Sequence, residues 1–259
     1  MTKKIDTRES IRVVTSNNFL KASGLDDISL KAKKLLYLAL AQSRQTDETF
    51  YTYKIKASEF AEFMGIETIN IYQEADKITD ELMKGFVKIV PEGKKKFKKF
   101  KLFSTIEYDN GEITFELSRQ MTPIVLNLKK NFTQPLLNDF ARMKSGYSMS
   151  IWHLFQREMK SKKPYGMNVI EFELTLDELR MATETQNKFE RLSQFKEKVL
   201  DKAIREIYDN CGVKITYTYI KRERKVVGFH FVAVTKFYIP PEQMTLEMYE
   251  KMNRIKNSQ

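Results

Sequence analysis

Residues 172–207 read F-E-L-T-L-D-E-L-R-M-A-T-E-T-Q-N-K-F-E-R-L-S-Q-F-K-E-K-V-L-D-K-A-I-R-E-I. The opening residues end a strand-like run over 169–174. Thr175 stands three residues before Glu178, the spacing of a capping box, ahead of a short helix over 175–182. After a polar interval, 193–208 reads as a second helix with Phe195, Val199, Leu200, Ala203, Ile204 and Ile207 on its apolar side. Alternation then gives a strand over 213–220. The basic turn Lys221-Arg222-Glu223-Arg224-Lys225 leads into another strand over 226–234. Two helices followed by a β-hairpin make the winged-helix order.

Upstream, 147–159 is a helix carrying Ile151, Trp152, Leu154 and Phe155, and about 120 residues earlier the same order runs once before. There, 30–42 is apolar at helical spacing and 50–55 is β-rich. A short amphipathic helix over 57–65, with Ser58 as its expected cap, is stopped by Gly65. A further helix, 71–84, places Ala75, Ile78 and Leu82 on one face. Strands over 101–108 and 112–117 flank Asp109-Asn110-Gly111, and Asn-Gly between alternating apolar residues is a strong hairpin signal. The expected fold is therefore α+β, two tandem winged-helix domains in a pseudo-twofold internal repeat. Its parts are residues 1–122, linking helices over 123–143 marked by Pro123 and Pro135, a second domain over 144–238, and a tail over 239–259.

Composition points to the partner. Lys and Arg number 45 against 34 Asp and Glu, a formal charge of +11 that favours a polyanion. No apolar run is long enough to span a bilayer, so no membrane partner is expected. The polar first ten residues lack the apolar core of a secretion signal, and a lone cysteine, Cys211, fits a reducing compartment. The expected location is the cytoplasm.

Catalytic constellations are missing. His153 and His230 are the only histidines, and each reads as structural. There is no H-E-x-x-H, no C-x-x-C and no cluster to hold a metal, so no metal or cofactor is expected. The G-x-x-x-x-G-K-S/T phosphate loop is absent, as is the His-apolar-His pair with which rolling-circle nickases hold a metal near their tyrosine. Catalytic residues are therefore none.

Binding residues follow from helix geometry. At 100° per residue, Arg191, Gln194, Lys198, Asp201, Lys202 and Arg205 share the face opposite the apolar side of the 193–208 helix, which opens at Ser193. Arg, Gln and Lys in the first turns are types that read guanine or adenine edges, while Lys202 and Arg205 suit phosphates. Lys221, Arg222, Arg224 and Lys225 add a cationic wing. In the first half, Gln73 and Lys77 are also expected DNA contacts, although their helix face, with Asp80 and Lys84 and with Glu74, Asp76 and Glu81 alongside, is mixed in charge and poorly suited to phosphates. The run Lys94-Lys95-Lys96-Phe97-Lys98-Lys99 reads instead as a basic hairpin on DNA backbone. The second domain is expected to specify sequence, and the first to add electrostatic affinity and self-association.

Four stretches resemble the initiator proteins of theta-replicating, iteron-containing plasmids: V-V-T-S-N-N-F-L (13–20) with the helical segment at 28–37, A-R-M-K-S-G-Y-S-M-S-I-W-H-L-F (141–155), F-E-L-T-L-D-E-L-R (172–180) and K-F-E-R-L-S-Q-F-K-E-K-V-L-D-K-A-I-R-E-I (188–207). The likeness covers about 10–235. Trp152 stands where tyrosine is common, and Ala203 where the family often has proline. The resemblance implies binding to direct repeats at an origin. It also implies a monomer–dimer equilibrium, an operator at which dimers repress the protein's own gene, and contacts with host initiator and helicase components. A winged-helix repressor without a replication role shares the same residues. An RNA-binding protein is a more remote rival, since no aromatic RNA-recognition motif is present.

Overall fold

A computed structural model describes residues 2–4, 11–25, 28–43, 47, 49–65, 71–90, 96–126, 128, 132–162 and 169–235. In the first half, β1 (Thr2–Lys4) and β2 (Thr15–Ser16) precede α1 (Leu30–Gln42). Then come β3 (Thr52–Lys56), α2 (Ala57–Met64), α3 (Ile71–Lys84), β4 (Phe86–Ile89), β5 (Lys98–Lys101), β6 (Phe103–Asp109) and β7 (Glu112–Leu117). Ser29 caps α1, its hydroxyl accepting the N–H of Ala32 at 3.3 Å. The helix buries residues all round, from Leu35 to Leu40, as a central core helix must. One sheet has the order β1-β3-β7-β6, while β4 and β5 pair separately. The β6–β7 turn holds φ of 47° at Asn110 and 81° at Gly111, the doubly left-handed geometry that Asn-Gly tolerates.

The linking stretch holds α4 (Thr122–Val125), β8 (Phe132–Thr133) and α5 (Leu137–Ala141). The second half runs α6 (Gly146–Ser161), β9 (Val169–Thr175), α7 (Leu176–Ala182), α8 (Leu192–Phe195), a π-helical turn over Lys196–Leu200, α9 (Asp201–Cys211), β10 (Lys214–Arg222) and β11 (Lys225–Val234). Its sheet order is β10-β11-β9, all antiparallel.

The core runs without a break through both halves. His153 of α6 is fully buried where they meet. Its Nε2 lies 2.9 Å from the hydroxyls of Thr15 and Thr133, and its Nδ1 3.1 Å from that of Tyr37. One imidazole thus joins α6 to α1, β2 and β8. Burial drives its pKa down to about 3, so it is neutral and structural, as its sequence context suggests. Trp152 donates its indole N–H to Asp139 at 2.9 Å. From α1 to the linking stretch, the buried Lys34 ammonium donates to the carbonyl of Ala141 in α5 at 2.6 Å.

Several expectations are corrected. Ser58 does not cap α2: the helix starts at Ala57 straight out of β3, with Lys56 at the cap and no side-chain bond. The expected strand over 101–108 is two elements, because Lys98–Lys101 turns away to pair with β4, a strand that periodicity missed. The linking stretch is only partly helical, since Phe132–Thr133 pairs with β2. The 193–208 helix is interrupted by the π turn.

Candidate nucleic-acid interface

The second helix-turn-helix is built from local bonds. Thr175 accepts the N–H of Glu178 at 3.1 Å, and the Glu178 carboxylate accepts the N–H of Thr175 at 2.9 Å, completing the capping box. Arg180 turns back from α7 into the loop. Its Nη1 donates to the carbonyls of Thr185 and Lys188 at 2.9 and 2.8 Å, and its Nη2 to those of Phe189 and Glu190 at 2.8 and 3.3 Å. A planar guanidinium presents its donors in a fixed fork, so it can gather four carbonyls of one tight turn. The Phe195 ring lies 4.8 Å from the guanidinium carbon. Glu184 and Phe189 hold φ of 51° and 52° in this turn. Glu184 also reaches the first half, accepting the N–H groups of Gly24 at 2.7 Å and Leu25 at 3.0 Å.

The wide turn in the next helix follows from apolar spacing. Phe195, Val199, Ala203 and Ile207 are buried at intervals of four. In an unbroken α-helix of 3.6 residues per turn, that row would drift by about 40° at each step. One i→i+5 turn absorbs most of the drift and keeps the row on the core. The polar face divides accordingly. Arg191, Ser193 and Gln194 are exposed at the start, Lys198 on the wide turn, and Lys202 and Arg205 on α9. Asp201, expected on the same face, is instead half-buried and accepts the Tyr217 hydroxyl. Lys202 and Arg205 are rotated by about one residue position, roughly 100°, relative to an ideal helix. Lys198 pairs with Glu197 at 3.0 Å, an exposed contact that water weakens.

The wing is the β10–β11 hairpin. Arg222 pairs with Lys225 around a two-residue turn in which Glu223 has φ of 57°, and Lys221, Arg222, Arg224 and Lys225 are all exposed. Gly228 lets β11 press on β9: a Cβ there would stand 2.6 Å from the Leu174 carbonyl oxygen. The wing is tied to the helix. Lys196 donates to the Tyr219 hydroxyl at 2.6 Å, and the Tyr217 hydroxyl donates to Asp201 at 2.7 Å. The first bond raises the Lys196 pKa, while burial and the Asp201 bond push Tyr217 up to about 12. Sequence reading missed Arg180, Glu184, Lys196, Tyr217 and Tyr219. Only the two tyrosines left a trace, an i, i+2 pair that strand alternation puts on one face.

The first half presents a different surface. Gln73 and Lys77 are exposed on α3 beside Asp76 and Asp80. Glu74 pairs with Lys31, Glu81 accepts the N–H of Ser29 at 2.8 Å, and Lys84 pairs with Asp80 at 2.8 Å. Its β6–β7 hairpin carries Glu107, Asp109 and Glu112, the last paired with Lys54. The lysine run is elsewhere, on β4–β5. Lys96, Lys98 and Lys99 are exposed, Lys99 lying 3.6 Å over the Phe86 ring; Lys94 and Lys95 fall outside the described residues. Lys101 is occupied, donating to the α3 carbonyls of Met83 and Lys84 at 2.8 and 3.2 Å. Backbone bonds of 2.9 and 2.8 Å join Lys88 of β4 to Ser23, the neighbour of the Gly24 held by Glu184. The lysine hairpin is thus fastened, through 23–25, to the turn of the second helix-turn-helix.

Among the described residues no group of three or more His, Cys, Asp or Glu is placed to hold a metal, and no helix is long and apolar enough to cross a membrane.

Comparison with known proteins bears on both halves. The model of the initiator replication protein family's first winged helix, WH1, matches residues 12–156, and that of the initiator Rep protein's WH2 matches 175–232. A replication initiation protein of Escherichia coli is 27% identical over 176 residues, covering 67% of this chain and 53% of the relative, so the chain spans about half of that relative's length. The PI protein of Escherichia coli is 26% identical over 240 residues, covering 80% of this chain and 79% of the relative. Among solved structures, the Pi initiator protein in complex with iteron DNA superposes with a TM-score of 0.74 at 22% identity, covering 88% of this chain and 99% of the other. That likeness shows the fold: two winged-helix domains in tandem.

Proposed function

The chain belongs to the replication initiator family with two winged-helix domains, and from this we propose that it binds duplex DNA at direct repeats (iterons) of a plasmid origin and starts replication there. The second winged helix specifies sequence. Arg191, Ser193, Gln194 and Lys198 meet base edges in the major groove, Lys202 and Arg205 meet phosphates, and Lys221, Arg222, Arg224 and Lys225 extend the wing along adjacent backbone. The first domain adds affinity through Lys96, Lys98 and Lys99 and is the seat of self-association. Gln73 and Lys77 contribute little, because carboxylates crowd their face.

The observation that carries this reading is the joining of helix and wing into one exposed cationic surface by the Lys196–Tyr219 bond. The protein works in the cytoplasm by binding alone and catalyses no reaction. As a dimer it represses its own gene at an operator, and at the origin it engages host initiator and helicase components. Footprinting on the DNA flanking its own gene tests the reading. Protection of tandem direct repeats, and their requirement for plasmid maintenance, are expected. Protection of a single promoter site with no repeats would mean a repressor without a replication role.

A further inference from the structure

We infer that Tyr217 and Tyr219 of the wing are positioning residues for sequence reading, because they grip the two ends of the wide turn that carries Lys198. The inference rests on the reading of the second winged helix as the sequence-specific DNA surface. Lys196 is the first residue of the π turn and Asp201 the first residue after it. Tyr219 accepts from the former at 2.6 Å and Tyr217 donates to the latter at 2.7 Å. The two tyrosines are two residues apart on β10, so both point at the helix, at matching ends of the turn.

π turns are rare and occur mostly as single turns inside α-helices, often at functional sites. Here the buried four-residue row calls for the turn, and the two hydroxyl bonds from the wing fix its ends. Behind the hydroxyls the rings are fixed: Tyr217 stands edge-on to the fully buried Phe229 at 5.2 Å, Tyr219 lies 5.8 Å from the same ring, and the Lys196 ammonium lies 5.2 Å from the Tyr219 centroid. Lys198 itself is exposed and pairs with its neighbour Glu197. Its direction is set by the backbone of the turn. Releasing the turn to α geometry would rotate it by part of one residue position, roughly 50°, and take its ammonium off the base it reads.

The test selects bound sequences from a pool of randomised duplexes. It uses the full chain as wild type, Lys198→Ala, Tyr217→Phe with Tyr219→Phe, all three together, and Asp201→Asn. Phenylalanine keeps the ring packing and removes only the hydroxyls. Lys198→Ala loses preference at one or two base positions, about tenfold each. The double tyrosine variant loses preference at the same positions, the triple variant loses no more, and Asp201→Asn, which keeps an acceptor for Tyr217, retains the wild-type motif. A tyrosine variant that selects the unchanged motif, or loses preference at other positions, overturns the inference. A wild type that enriches no motif overturns it together with the reading it rests on. If the double variant does not fold, Tyr219→Phe alone, at a half-exposed site, carries the same comparison.

Discussion

The carboxylate of Glu184 accepts the backbone N–H of Gly24 at 2.7 Å, joining residues 160 apart in sequence. Glu184 lies in the turn of the second helix-turn-helix, and Gly24 is wedged under Phe86 of the lysine hairpin. Glu184→Ala leaves the N–H groups of Gly24 and Leu25 without this acceptor, costing about 1–2 kcal/mol. Glu184→Gln, keeping one oxygen, costs less. Urea unfolding followed by tryptophan fluorescence measures both.

Arg180 serves four carbonyls of the turn with one buried side chain. Arg180→Ala strands those acceptors and opens a void beside Phe195, a loss of about 3 kcal/mol. Arg180→Lys recovers part of it, since an ammonium is a point donor and cannot span the fork. Chemical denaturation ranks the two variants.

Acid should unfold the protein through His153. The unfolded chain takes up a proton there near the ordinary pKa of 6.5, the folded chain only at about 3. Its contribution to stability is whole above pH 6.5 and falls towards pH 3, by about 1.4 kcal/mol per pH unit. His153→Gln lowers stability at neutral pH and flattens the slope between those values. Melting temperatures across that range test the sign.

At the wing tip Glu223 combines a left-handed backbone with the only acid in the turn. Glu223→Gln removes the charge alone and tightens duplex binding by less than about tenfold, with stability unchanged. Glu223→Gly also relieves about 1 kcal/mol of backbone strain and raises the melting temperature. Fluorescence anisotropy and thermal melts separate the two effects.

The lysine hairpin acts through phosphates. Replacing Lys96, Lys98 and Lys99 by alanine should lower the slope of log affinity against log salt by up to about 3, roughly 0.9 per contact, while site preference is kept. An unchanged slope would remove β5 from the DNA surface.

Much of this was legible in the sequence, for physical reasons. Helix α1, the Asn110-Gly111 hairpin and the Thr175–Glu178 box are local signals, fixed by spacing and backbone preference. The exposed face from Arg191 to Arg205 was readable because burial of Phe195, Ala203 and Ile207 leaves it no alternative. What escaped depends on distant partners. Strand β4 is four residues long and defined by its pairing with Lys98–Lys101, so periodicity had too little to count. The π turn balances four-residue apolar spacing against helix pitch, and the wing helps to hold it. Arg180 looks like one more surface cation until the turn folds around it.

The central claim is that the second winged helix reads sequence, and competition binding tests it most directly. Wild type and Arg191→Ala with Lys198→Ala are titrated onto a duplex carrying the direct repeat and onto a scrambled duplex at one fixed salt concentration. Wild type is expected to separate the two duplexes by at least about 10³-fold, and the variant to bind both with nearly the same residual affinity. A variant that still prefers the repeat as strongly as wild type, with affinity reduced equally on both duplexes, would contradict it.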